Sequence, residues 1–344
     1  MQDRFFAALE RYMLPMEKFE RVVDSSYFLR KNLSFAFAQG YCHPPGGFYG
    51  KLINYPDPGG ALDIFGRRYT NTTKKRVDGR LELLPIDRQL ALHYLAEPAL
   101  RDREGIPPFG DYHVRFSLDD CVGFFEHGHS LRAAMGLHPW LAPKVEKLSD
   151  FLGLPADRLG ATGSLAYGRM DDEHEDIDLA IRAGVEEHRA IVKKIDRWLG
   201  DPSHRVFEFG RHWPLRFYFE GTLICPFFIY GRPAEIPLAD FRMEVVREGV
   251  SFRGRVSDDT HAIFLPIVAR LDDVSLDGAG GAAGLRLVVY DSSARGEYRE
   301  GDILSGVARL VAIRTRAEEY RALLVTNADA IAKARPGAGT EAKA

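Results

Sequence analysis

The sequence predicts an α+β protein of more than one domain, and three observations carry that expectation. The chain has 344 residues, past the roughly 250–300 at which a single hydrophobic core stops growing. Its middle alternates helix-period and strand-period segments. From about residue 245 onward strand periodicity dominates. The regions expected are therefore 1–135, mixed strands and short helices; 136–240, a mixed sheet with flanking helices; 245–328, β-rich; and a polar tail, 333–344.

Taken in order, the N-terminus reads as an amphipathic helix with Phe6, Leu9 and Met13 on one face. Phe28–Phe37 and Phe48–Tyr55 read as strands around a His-Pro-Pro-Gly-Gly turn, and Ile86–Leu100 as a helix. Leu141, Val145, Leu148 and Leu152 recur at helical spacing and stop at Gly153 and Pro155. Arg158–Thr162 is a short strand, Val185–Leu199 a helix, and Val206–Phe209, Leu215–Phe219 and Thr222–Tyr230 are strands. Beyond them Ser251–Val256, Ala262–Leu271, Leu285–Tyr290, Ile303–Ile313 and Arg321–Thr326 read as five strands, with Asp277–Gly284 as a loop. Turn-separated strands in that number resemble an OB-like β-barrel.

Composition narrows the setting. Apolar residues at 45% and charged residues at 28% are ordinary globular values. A net charge of −3 argues against a globally basic nucleic-acid coat. Three cysteines, Cys42, Cys121 and Cys225, are odd in number and widely spaced, so they form neither a disulfide framework nor a CxxC site. A reducing, cytoplasmic setting is expected, with no membrane span. Asp3, Glu10 and Glu17 break the uncharged run that a signal peptide needs.

The most informative stretch is Gly163 to Ile181, GSLAYGRMDDEHEDIDLAI. Asp176 and Asp178 flank one apolar residue, so on a strand both project from one face while Ile177 and Leu179 enter a core. Two carboxylates that close repel unless a cation lies between them. An oxygen-only ligand pair favours magnesium or manganese over zinc. The Gly163-Ser164 turn just upstream offers backbone N–H groups and a hydroxyl to a phosphate. Metal and phosphate cradle together point to phosphoryl or nucleotidyl chemistry.

With its Gly-Ser turn, its spacer and its acid-apolar-acid strand, GATGSLAYGRMDDEHEDIDLAI resembles the signature of the DNA polymerase beta nucleotidyltransferase superfamily. More loosely, through CHPPGGFYGKLINYP and SFRGRVSDD, the whole chain resembles an uncharacterised family of predicted nucleotidyltransferases found mostly in archaea. The first resemblance implies a polymerase-beta-like core. There Asp176 and Asp178 hold one or two Mg2+ (or Mn2+) ions, and Gly163 and Ser164 hold the outgoing pyrophosphate of a nucleoside triphosphate, ATP among the candidates.

It also calls for a third carboxylate on a later strand. TLICPFFIY has Cys225 and Pro226 where that acid is expected, and Glu220 and Glu208 are the nearest substitutes. Glu220 is the residue expected to complete the site. Arg169, Lys193, Lys194, Arg211, His212 and Arg216 are cations near the core in sequence. Glu126, His127 and His129, and the Cys42-His43 pair, read as structural rather than metal-binding. Arg295, Arg299, Arg309, Arg314 and Arg316, interleaved with Tyr290 and Tyr298, suggest a nucleic-acid acceptor at the C-terminal region. Two readings stand open: a metal-dependent nucleotidyltransferase acting on a hydroxyl, or a nucleotide- or nucleic-acid-binding protein that kept the fold without turnover.

Overall fold

A computed structural model describes residues 4–77, 80–170, 176–282 and 284–334. Two compact units emerge: Met1–Glu104 with Tyr112–Glu235, and Gly105–Asp111 with Ile236–Ala344. The architecture is mixed α+β in the first unit and a separate sheet domain in the second.

The first unit opens with α1 (Arg4–Leu9), shorter than the expected N-terminal helix, which buries Phe5 and Leu9 rather than Phe6 and Met13. Strands β1 (Leu14–Pro15), β2 (Tyr27–Arg30), β3 (Phe35–Ala38), β4 (Gly47–Pro56), β5 (Leu62–Ile64) and β6 (Arg67–Asn71) follow. The hairpin β7 (Lys74–Val77) and β8 (Arg80–Leu83) precedes α2 (Ile86–Ala96), and β9 (Val114–Ser117) and β10 (Cys121–Phe125) complete the region. Eight of these strands make one antiparallel sheet in the order β1-β10-β2-β3-β4-β6-β5, with β9 also on β4. Phe28 and Phe48 stack in its core with ring centroids 4.4 Å apart.

The expected single strand Phe28–Phe37 is a hairpin instead. Leu33 takes a positive φ of 64° and Arg30 N–H bonds Ser34 O at 2.9 Å, so the chain reverses where alternation alone suggests continuity. Helix α2 stops at Ala96 because Pro98 holds Glu97 extended.

The remainder of this unit holds α3 (His127–Leu137), α4 (Leu141–Leu152), β11 (Leu159–Ala161), β12 (Ile177–Ala183), α5 (Val185–Trp198), β13 (Arg205–Glu208), β14 (Arg211–Phe219) and β15 (Thr222–Tyr230). Its five strands order as β11-β12-β15-β14-β13, with β12 and β15 parallel and the other neighbours antiparallel. Gly153 ends α4 in the left-handed region (φ 74°), as its sequence signals. The acidic run Asp171, Asp172, Glu173 and Glu175 lies outside the described residues, as does the tail from residue 335.

The second unit contains β16 (Phe241–His261), β17 (Ile267–Leu276), β18 (Ala279–Ala282), β19 (Leu285–Val289), β20 (Ile303–Thr315), β21 (Glu319–Val325) and β22 (Ile331–Ala334). Ser251–Val256 is thus the middle of a 21-residue strand, and the expected loop at 277–284 contains a strand paired with β17. Since β16 pairs with both β17 and β20, the path β16-β17-β19-β21-β20 returns on itself. Tyr290 and Tyr298 are 3% and 2% exposed, so neither presents a face to a base. Apolar packing claims both rings: Tyr298 joins the core of this sheet, and Tyr290 stacks on Phe109 at 4.2 Å. Arg309 pairs with Asp111 and donates to Pro108 O at 2.7 Å. Among the described residues no helix is long and apolar enough to cross a membrane.

Segment Gly105–Asp111 therefore packs with a unit whose other residues begin at Ile236. Phe109 is 3% exposed, and truncating a buried aromatic costs about 3–5 kcal/mol. Phe109→Ala is expected to lower the denaturant midpoint of the second unit accordingly. A loss below about 1 kcal/mol, the range of surface substitutions, contradicts that role for the segment.

Candidate metal centre

Sequence alternation in β12 decides which side chains meet. Ile177, Leu179 and Ile181 are fully buried, and so are Phe217, Ile224 and Phe228 on the neighbouring strands. Phe217 meets Phe151 of α4, and Phe228 meets His188 of α5. With that face anchored by apolar burial, the period of two turns Asp178 to the opposite face. Parallel pairing then sets Asp178 opposite Cys225.

Carboxylate oxygens of Asp176 and Asp178 and the sulfur of Cys225 all lie within 4.8 Å of one another. Cys225 Sγ is 3.9 Å from Asp176 Oδ2. Both aspartates are half-buried and the cysteine is buried. The residue standing where a third acid is expected in sequence thus occupies the third corner of the group, but as a thiol.

Gly163 lies directly against this group. Its φ is +60°, and a Cβ there would overlap the Asp178 carboxylate. Only glycine meets both demands, left-handed backbone and close approach. The turn is pinned from both sides. Thr162 N–H donates to Asp178 O at 2.9 Å, and Thr162 Oγ1 donates to Ser25 O at 2.6 Å. His127 Nε2 reaches the same Ser25 carbonyl at 3.0 Å. Ser164 follows in the short 3-10 turn Gly163–Tyr167 and is half-buried.

Electrostatics explain what the group lacks. Burial, then the neighbouring charge of Asp176, pushes the Asp178 carboxyl up to about 7, while Lys74 and Arg216 pull the other way. Burial, then Asp178, raises the Cys225 thiol well above its ordinary range. Arg216 is held by Glu208 at 2.8 Å and lies over the Trp213 ring at 3.9 Å. Lys74 lies over Phe209 at 5.8 Å. These two cations offset part of the acidic charge. Two carboxylates and a thiol with that spacing can hold a divalent ion.

Of the residues anticipated from sequence, Asp176, Asp178 and Gly163 come together and Ser164 adjoins them. Glu220, expected as the third carboxylate, is instead at the tip of the β14–β15 hairpin. Glu220 and Gly221 carry φ of 47° and 79°, a two-residue turn between Phe219 and Thr222. Its carboxylate takes Lys147 Nζ at 2.8 and 2.9 Å, and it is not part of the ligand group. Glu208 is engaged by Arg216.

Lys194 caps α4 through Leu152 O at 2.9 Å, and Arg211 lies over the other Trp213 contact at 4.3 Å. Glu126 caps α3 by accepting from His129 N–H at 2.6 Å. His43 bonds Gly40 O and Tyr49 N–H, a structural loop as expected. Tyr27 and Lys74, from the eight-stranded sheet and the β7 hairpin, carry no sequence signal that links them to the aspartates. Comparison of the chain with protein-family models, curated proteins and solved structures gives no match.

The raised Asp178 carboxyl makes a signed prediction. Between the ordinary carboxylate range near ~4 and about 7 the folded chain holds a proton that the unfolded chain has released. Stability from this group therefore falls as pH rises through that window. Asn at the position has no such proton. The melting temperature of the chelator-treated protein, minus that of Asp178→Asn, is expected to fall as pH is raised through the window and to level off above it. A difference that stays constant or grows with pH contradicts the assignment.

Proposed function

We propose that the protein transfers a nucleoside monophosphate from a nucleoside triphosphate to a hydroxyl acceptor, with a divalent ion bound at Asp176, Asp178 and Cys225. The observation that carries this reading is the joining of two features. Two aspartates project from one strand face, and a left-handed glycine turn lies against one of them. When bound, the ion neutralises triphosphate charge and polarises the α-phosphate.

The chain's own residues have distinct parts. Gly163 gives the Asp178 carboxylate room against the turn, and Ser164 Oγ is a donor to the departing pyrophosphate. Arg216 and Lys74 offset the negative charge that gathers as the acceptor oxygen bonds to phosphorus and the pyrophosphate bond breaks. The acceptor's proton leaves to solvent or to the outgoing phosphate, because among the described residues no third carboxylate joins the group. In this reading the five-stranded sheet is a polymerase-beta-like core. The self-closing path of the second unit is an OB-like barrel, which supports an acceptor site there. With Tyr290 and Tyr298 buried, a nucleic-acid acceptor rests on the exposed Arg314 and Arg316, which are paired with Glu319 and Asp240.

A second reading, a nucleotide binder without turnover, is favoured by two observations: the third corner is a thiol, and Glu220 is paired with Lys147. Incubation with each labelled triphosphate, a divalent ion, and RNA, DNA or total protein separates the two. Transfer of label that disappears in Asp176→Asn/Asp178→Asn, with the fold intact by circular dichroism, is the expected result. Metal-dependent triphosphate binding with no label transferred to any acceptor establishes the binder instead. Neither binding nor transfer overturns both.

A further inference from the structure

We infer that the site selects a thiophilic divalent ion, zinc or cobalt(II) over magnesium, because Cys225 supplies a thiolate ligand beside the carboxylates of Asp176 and Asp178. This deepens the reading above and rests only on its metal site, not on nucleotidyl transfer. Magnesium takes oxygen ligands almost exclusively, whereas thiolate ligation favours zinc and its softer neighbours. Typical zinc bonds of about 2.3 Å to sulfur and about 2.0–2.2 Å to oxygen put two ligands of one tetrahedral ion roughly 3.5 Å apart. The sulfur already stands 3.9 Å from Asp176 Oδ2, and all three donor atoms fall within 4.8 Å. Parallel pairing of Asp178 with Cys225 fixes that proximity in the backbone.

A second residue stands in the field of the same two carboxylates. Tyr27 is only 7% exposed, its ring held against Phe37 at 4.8 Å and Tyr167 at 5.5 Å. Among the described residues its hydroxyl makes no hydrogen bond, yet the charges of Asp178 and Asp176 act on it. A hydroxyl in the field of two carboxylates is suited to a water or substrate oxygen on an ion bound between them. Binding balances simply: the thiol proton passes to solvent as the metal–sulfur bond forms, with no change of oxidation state.

The test uses the full chain, reduced and stripped of metal, titrated with cobalt(II) and no nucleotide. A thiolate-to-cobalt charge-transfer band in the near ultraviolet is expected, saturating at one ion per chain. Zinc should abolish it stoichiometrically, and magnesium should fail to do so even in large excess. Cys225→Ser is expected to lose the band and weaken cobalt binding by at least about tenfold, about 1.4 kcal/mol. Cys42→Ser should keep both. Absence of the band in the wild type, its persistence in Cys225→Ser, or displacement of cobalt by magnesium at comparable concentration each overturns the inference. Should Cys225→Ser fail to fold, the wild-type band and the magnesium competition decide. A band without nucleotidyl transfer refutes only the proposed activity, and magnesium-supported transfer without a band refutes only this inference.

Discussion

Everything at the candidate centre depends on the parallel pairing of β12 with β15. That register sets Asp178 opposite Cys225 and holds the sulfur near Asp176. It survives because the other face of the same strands is buried: Ile177, Leu179 and Ile181 with Phe217, Ile224 and Phe228. A slip of one residue would turn those apolar side chains to the opposite face and drive the acids into the core. Fully burying six large apolar side chains contributes roughly 1.5–3 kcal/mol each. The charge repulsion and desolvation that the group suffers are thus tolerated by the packing behind it.

The centre is left electrostatically incomplete by the same arrangement. Burial and mutual repulsion lift the Asp178 carboxyl to about 7, and Arg216 and Lys74 relieve this only in part. Each cation is itself held off: Arg216 by Glu208 and Trp213, Lys74 over Phe209. Gly163, pressed against Asp178, leaves that carboxylate the space a side chain would take. A structural ion pair would have bound a guanidinium or ammonium to the acids; among the described residues Arg216 pairs with Glu208 and Lys74 lies over Phe209 instead. That distribution suits a site completed by an ion and an anionic ligand.

Much of this is legible in the sequence alone. Asp-Ile-Asp after a Gly-Ser turn has the period of a half-buried strand, and α4 and α5 are written in the spacing of their apolar residues. What escaped lies in contacts distant in sequence. Cys225 stands out in sequence only as the place of an expected acid, because nothing in TLICPFFIY states which strand it adjoins or in which direction. Glu220 was attractive by proximity in sequence, but a Glu-Gly pair with positive φ at both residues is turn chemistry. Phe28–Phe37 shows no Gly or Pro where it reverses at Leu33, so alternation alone reads it as one strand. Tyr27 reaches the centre through tertiary folding, and Phe109 joins the second unit from a segment far upstream. Tyr290 and Tyr298 look exposed beside so many arginines, and burial contradicts that.

Anomalous diffraction from crystals of the metal-loaded protein tests the central claim, that Asp176, Asp178 and Cys225 together hold one ion. The account predicts a single strong peak at the loaded metal's absorption edge, within bonding distance of an oxygen of each aspartate and of the cysteine sulfur, about 2.0–2.3 Å for zinc. No peak at that place, or an ion bound by the carboxylates with Cys225 Sγ turned away from it, would contradict the account.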